Sequence, residues 1–99
     1  MSDDVLKEGG ILLHPVRFKI LETLRKTRKP MYVDEIADEI KIDRRLVSFH
    51  LTTLEEKGFA TSDFKVIRKP QSKGKAGRFY TLTPKVDTIL VELVKMVEK

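Results

Sequence analysis

Cysteine and tryptophan are both absent from this 99-residue chain, and glycine and proline are sparse, at five and four residues. Without cysteine there are no disulfides and no thiolate metal sites, so stability has to come from packing. Without tryptophan, and with 7% aromatic residues, the core is expected to be mostly aliphatic. No apolar run reaches the roughly 20 residues of a membrane-spanning helix. The first residues, Met1 to Asp4, are acidic where a signal peptide would be basic, which predicts a soluble, cytoplasmic protein. No enzyme is expected either. There is no cysteine nucleophile, no Ser/His/acid set that a fold would bring together, and no phosphate-cradling glycine loop, since no helix follows Gly74 to Gly77.

A chain of this length forms one domain with a single modest core. Its net charge is +5, which favours an anionic partner. The charge is also uneven. Six basic residues (Lys65, Arg68, Lys69, Lys73, Lys75, Arg78) face one acid, Asp63, between positions 59 and 79, while 34–39 holds four acids and no base. One basic edge and one acidic helix give the molecule an oriented field.

Two helical stripes interleave between Ile42 and Gly58. Val47, His50, Leu51 and Leu54 fall at i, i+3, i+4 and i+7, the core stripe of an amphipathic helix. Arg45, Ser48, Phe49 and Thr52 repeat that spacing on another face, which is basic and nearly free of carboxylates. Asp43 is the expected N-cap, and Lys57-Gly58 the stop. Such a face suits a nucleic-acid groove.

Before this helix, residues 3–13 read as a short or kinked helix, because paired glycines at 9 and 10 cost about 1 kcal/mol each relative to alanine. Pro15 suits a first helical position, and Val16, Ile20, Leu21 and Leu24 trace a core stripe that Pro30 ends. Residues 31–40 read as a second helix, with Val33, Ile36, Ala37 and Ile40 inward. Only Lys41, Ile42 and Asp43 connect it to the next, which makes a helix-turn-helix over 33–57. The period then changes. Strands are expected at 59–67 and 78–83, with Phe79 and Thr81 on one face and Tyr80 and Leu82 on the other, around a basic loop. Helix-turn-helix followed by a hairpin with a basic tip, over 59–83, is a winged helix. In the last segment, 84–98, apolar residues exceed one narrow stripe, which predicts a partner chain.

The segments HPVRFKILETLRK, VDEIADEI, LVSFHLTTLEEKGFA and GRFYTLT, in this order, resemble the ArsR-type winged-helix transcriptional regulators from His14 to Thr83. The resemblance implies an α+β, mostly α fold with N- and C-terminal dimerisation helices, acting as a homodimer on double-stranded DNA. By it, Arg44, Arg45, Ser48, Phe49 and Thr52 face DNA, the recognition helix lies in the major groove, and the wing, with Lys65, Lys73, Lys75 and Arg78, lies on the adjacent backbone. Val5, Leu6, Leu12, Val86, Ile89, Leu90, Leu93 and Val97 are expected at the dimer interface. Many family members have a polar residue where this chain has Phe49, and a phenyl ring touches a thymine methyl but hydrogen-bonds no base. The metal-sensing members' cysteine pair cannot exist here, and 84–99 has no histidine, so no metal and no cofactor are expected. His50 is expected as a hydrogen-bonded core imidazole, and His14 as a residue ahead of Pro15, in separate roles. The alternative is a winged helix used for protein or RNA contacts, for which Phe49 offers the exposed aromatic.

Overall fold

The structure, a computed structural model, describes residues 2–67 and 75–98, with side chains from residue 5 onward. The order is α1 (Ser2–Leu12), α2 (Pro15–Thr27), β1 (Met31–Tyr32), α3 (Val33–Ile40), α4 (Arg44–Glu56), β2 (Ala60–Val66), β3 (Ala76–Leu82) and α5 (Lys85–Val97). The three strands form one antiparallel sheet in the order β1-β3-β2. This is a mostly helical α+β arrangement, the winged helix-turn-helix.

Local chemistry accounts for the helix boundaries. Pro15 opens α2, and the His14 Nδ1 accepts a hydrogen bond from the Val16 N–H at 3.2 Å, satisfying a donor with no intrahelical partner. The Glu35 carboxylate accepts from the Tyr32 N–H at 3.2 Å at the start of α3. Asp43 caps α4, accepting from the Arg45 N–H at 2.8 Å. Lys41 closes α3 in the left-handed region (φ 61°), usually reserved for glycine, and this residue makes the tight turn into α4. Gly58 stops α4 at φ 81°.

The expected stripes meet in one core. Val47, His50, Leu51 and Leu54 of α4 are buried, with Ile20, Leu21 and Leu24 of α2 and Ile36 and Ala37 of α3. Phe59 and Tyr80 close the core on the sheet side, and Leu12, Val86 and Ile89 on the side of the end helices. Lys85 binds three elements together: its ammonium pairs with Glu8 at 2.7 Å, donates to the Lys57 carbonyl at 2.7 Å and lies 4.8 Å from the centre of the Phe59 ring.

Three expectations change. Met31 and Tyr32 do not open the helix; they pair with Tyr80 and Phe79 as a third strand, too short to show a period. The second long strand begins at Ala76, two residues before Arg78. Helix α1 is continuous through the glycine pair, for a tertiary reason. A Cβ on Gly9 would lie 2.7 Å from Leu93 Cδ1, so the glycine lets α1 and α5 approach closely. Close docking of those helices buries Leu12, Val86 and Ile89, expected at the dimer interface, in the chain's own core.

Candidate nucleic-acid interface

The polar stripe of α4 points outward. Arg45, Phe49 and Thr52 are exposed and Ser48 is half-buried. Arg44 is exposed too, but its Nε donates to the Asp34 carboxylate of α3, so this guanidinium is held toward the neighbouring helix. Arg45 makes no ion pair among the described residues. Two hydroxyls on this helix are turned inward: Thr52 Oγ1 donates to the Ser48 carbonyl at 3.0 Å and Thr53 Oγ1 to the Phe49 carbonyl at 3.2 Å. Leu46, which belongs to neither expected stripe, is 43% exposed beside Phe49 at 60%. An apolar residue between a core stripe and a polar stripe gives little periodic signal, so the sequence did not single it out.

The wing is the β2–β3 hairpin. Its register pairs Ser62 with Tyr80, Phe64 with Arg78 and Val66 with Ala76, which puts these side chains on one face. Tyr80 and Ser62 reach the body of the protein, and Phe64 and Val66 overhang it, Phe64 at 66% exposure. Phe64 is thus an exposed aromatic, like Phe49 on α4 and Phe18 on α2. The Arg78 guanidinium stacks 4.3 Å from the Phe64 ring centre and donates to Ser62 Oγ at 2.9 Å, which donates to Glu55 at 2.7 Å. Arg78 therefore also fastens the wing to α4. Burial, followed by the Glu55 carboxylate, pushes the Tyr80 phenol up beside this chain, and Arg78 opposes it. Lys65 lies 6.0 Å from the Phe79 ring centre, on the opposite face. Lys75 is exposed at the foot of β3, and Lys73 lies outside the described residues. A cleft of about 390 Å³ joins the wing to the start of α4, with Asp34, Arg44, Lys75 and Arg78 on its walls.

The two histidines, expected in separate roles, share one cluster behind α4. Their ring centres are 4.4 Å apart, and Arg17 Nε donates to His50 Nδ1 at 3.1 Å while Arg17 Nη1 donates to the Ile11 carbonyl at 3.1 Å. Phe49 meets His50 edge-on at 5.2 Å. Both Nδ1 atoms accept hydrogen bonds, that of His14 from the Val16 N–H and that of His50 from Arg17. Burial lowers the His50 pKa most, followed by the repulsion of His14 and of Arg17. Among the described residues, no group of three or more His, Cys, Asp or Glu is placed to hold a metal ion.

A second exposed surface lies on the end helices. Leu6 of α1 and Val91, Val94 and Val97 of α5 are exposed, while Val5, Leu90 and Leu93 are half-buried. An apolar groove of about 430 Å³ continues it, lined by Phe18 and Leu21 of α2 and by Leu90. No helix among the described residues is long and apolar enough to cross a membrane.

Comparison with known proteins agrees with this geometry. The helix-turn-helix domain family matches residues 12–63, which run from the end of α1 into β2. An uncharacterised HTH-type transcriptional regulator of Methanocaldococcus jannaschii is 42% identical over 60 residues, covering 61% of this chain and 61% of that protein. The chain thus aligns with about three fifths of that relative's length. Among solved structures, the transcriptional repressor BigR of Xylella fastidiosa superposes with a TM-score of 0.67 at 24% identity, over 99% of this chain and 90% of that one. The homodimeric winged helix-turn-helix DNA-binding domain of a possible ArsR-family regulator from Mycobacterium bovis gives 0.64 at 22% identity, over 98% and 80%. The fold expected from the sequence motifs is the fold of these structures. The chain belongs to the helix-turn-helix domain family and carries its motif within a winged helix.

Proposed function

We propose that this protein is a sequence-specific, double-stranded DNA-binding transcriptional regulator that acts as a homodimer. One observation carries the reading: the exposed face of α4 presents Arg45, Phe49 and Thr52 outward, beside a wing that carries Lys65, Lys75 and Arg78. A helix of about 10–12 Å diameter fits the roughly 12 Å major groove, and the wing cations lie within reach of the adjacent phosphates. Arg45 in the first turn is the base reader, and Lys65 and Lys75 neutralise backbone charge. Ser48 and Thr52 line the groove, and Arg44 shares its charge between Asp34 and a phosphate. Lys73, which falls between β2 and β3 in the sequence, is assigned the same role as Lys65 and Lys75.

The homodimer reading is supported by the apolar surface of Leu6, Val91, Val94 and Val97 on paired end helices, and by the homodimeric state printed for the Mycobacterium bovis domain. Val5, Leu90 and Leu93 border that surface. Two-fold symmetry would place two α4 helices about 34 Å apart, one duplex turn.

The test is selection from a random duplex pool followed by anisotropy titration. A single enriched, two-fold symmetric sequence is expected, bound with a salt slope that becomes shallower by about one unit on Lys75→Ala. Equal affinity for selected and random duplexes would reduce the reading to unspecific charge attraction. A winged helix that binds single-stranded RNA by stacking has one observation in its favour, the exposed aromatic Phe64 on the wing. One face of that ring is already covered by Arg78.

A further inference from the structure

The outward face of α4 carries unusually few hydrogen-bonding groups for a surface that would read base edges. Arg44 is tied to Asp34, and the donor hydrogens of Thr52 and Thr53 are directed to backbone carbonyls. What remains outward is one guanidinium, Arg45, the half-buried Ser48 hydroxyl and a set of apolar groups: the Leu46 side chain, the Phe49 ring and the Thr52 methyl. Leu46 and Phe49 stand at i and i+3, neighbours on the helix surface about 5–6 Å apart at Cβ. Both keep large exposed areas, 43% and 60%, although the core lies one face away.

An apolar group in the major groove has one chemical counterpart among the four bases, the C5-methyl of thymine. A lone first-turn arginine has its best counterpart in guanine O6 and N7. Base pairs rise about 3.4 Å along each strand, so two side chains one helical turn apart span adjacent or next-adjacent pairs. The cationic surroundings fit a polyanionic ligand over an apolar protein partner, since Arg45 and the wing lysines would be stranded unpaired against a hydrophobic surface.

We infer that Leu46 and Phe49 make this a thymine-methyl reader, which prefers half-sites with a guanine beside closely spaced thymines. The inference rests on the DNA-binding reading above and adds to it the chemistry being read. Leu46 is then a specificity-determining residue, and Phe49 substitutes shape for hydrogen bonding.

The probe is the duplex enriched from the random pool, synthesised once with thymidine and once with deoxyuridine, which differs only by the missing methyl. Wild-type protein should lose about fourfold in affinity for each contacted methyl removed, the equivalent of one buried methylene-sized group. Leu46→Ala with Phe49→Ala, two exposed positions outside the buried core cluster, should bind both duplexes equally. Arg45→Ala should bind more weakly but keep the thymine-to-uracil ratio. Equal wild-type affinity for the two duplexes overturns the inference and leaves the DNA reading standing. A ratio that persists in the double alanine variant also overturns it, because the methyl would then be acting through duplex shape. Failure to enrich any duplex overturns both.

Discussion

The outward faces of α4 and α5 both expose large apolar side chains, yet their settings are opposite. On α4, Leu46 and Phe49 stand alone and are flanked by Arg44, Arg45 and the cations of the wing. On α5, Val91, Val94 and Val97 run one turn apart along the helix, continue into Leu6 of α1, and reach 83% exposure at Val97. Apolar groups set among cations suit a charged polymer with apolar spots. A continuous apolar stripe, with few hydrogen-bonding groups of its own, suits another stripe of the same kind. Exposure alone does not separate the two; the chemistry around the exposed group does.

The largest effect expected from breaking this comparison comes from crossing the boundary between the stripe and the core beneath it. Ile89→Asp places an uncompensated carboxylate in the chain's own core and should lower stability by roughly 4 kcal/mol or more, visible as lost cooperative unfolding. Val94→Asp, one and a half turns further along and exposed, should change monomer stability by no more than about 0.5 kcal/mol and convert a dimer to a monomer in sedimentation. If the two variants melt alike, the division of α5 into a buried and an exposed side is wrong.

On α4 the corresponding contrast is between adjacent arginines. Arg45→Ala should cost about 1–3 kcal/mol on the selected duplex and relax base preference at one position. Arg44→Ala should cost less and weaken all duplexes alike, because Asp34 already holds that guanidinium. A larger, base-specific loss at Arg44 would reverse the assignment.

The glycine pair sharpens the account of the end helices. Gly10→Ala, with nothing within 4 Å of its added Cβ, should gain up to about 1 kcal/mol of helix propensity. Gly9→Ala gains the same propensity and drives Leu93 outward, so its melting temperature should fall below that of Gly10→Ala. Equal gains would show that α1 and α5 do not need the close approach.

The smallest effect is on pH dependence, from the buried back of α4. His50 titrates below its ordinary value of 6.5 because of burial and then of His14 and Arg17, so between 6.5 and the lowered native value the unfolded chain binds more protons than the folded one. Stability should therefore fall as pH drops below 6.5 and level off below the native pKa. His50→Gln, which keeps a hydrogen-bond acceptor for Arg17, should flatten that part of the profile. An unchanged profile would assign it to other groups.

Periodicity and capping chemistry made the helices readable: the i, i+3, i+4, i+7 stripe of Val47 to Leu54, Asp43 before α4, and Pro15 opening α2 all lie in local sequence. The alternation of Phe79 to Leu82 likewise set the two sheet faces, and the structure turns the Tyr80 face inward. Features that depend on two distant segments were less readable. Met31-Tyr32 is a strand only because β3 lies beside it. Phe64 is exposed because the hairpin extends past the core, and His14 meets His50 because α2 packs across α4.

By itself, the sequence determined the helices and the two long strands, their order and the charge of the segment 59–79, since each follows from interactions within a few residues or from composition. Only the tertiary structure decided which apolar residues of α1 and α5 are core and which are surface. Ile89 and Val94 are equally apolar, and a helix hydrophobic on more than one face has no local signal for the side that meets its own core. Tertiary structure likewise decided that Arg44 is bound and Arg45 outward. Adjacent on the helix and identical in chemistry, they differ because Asp34 arrives from the neighbouring helix to meet one of them.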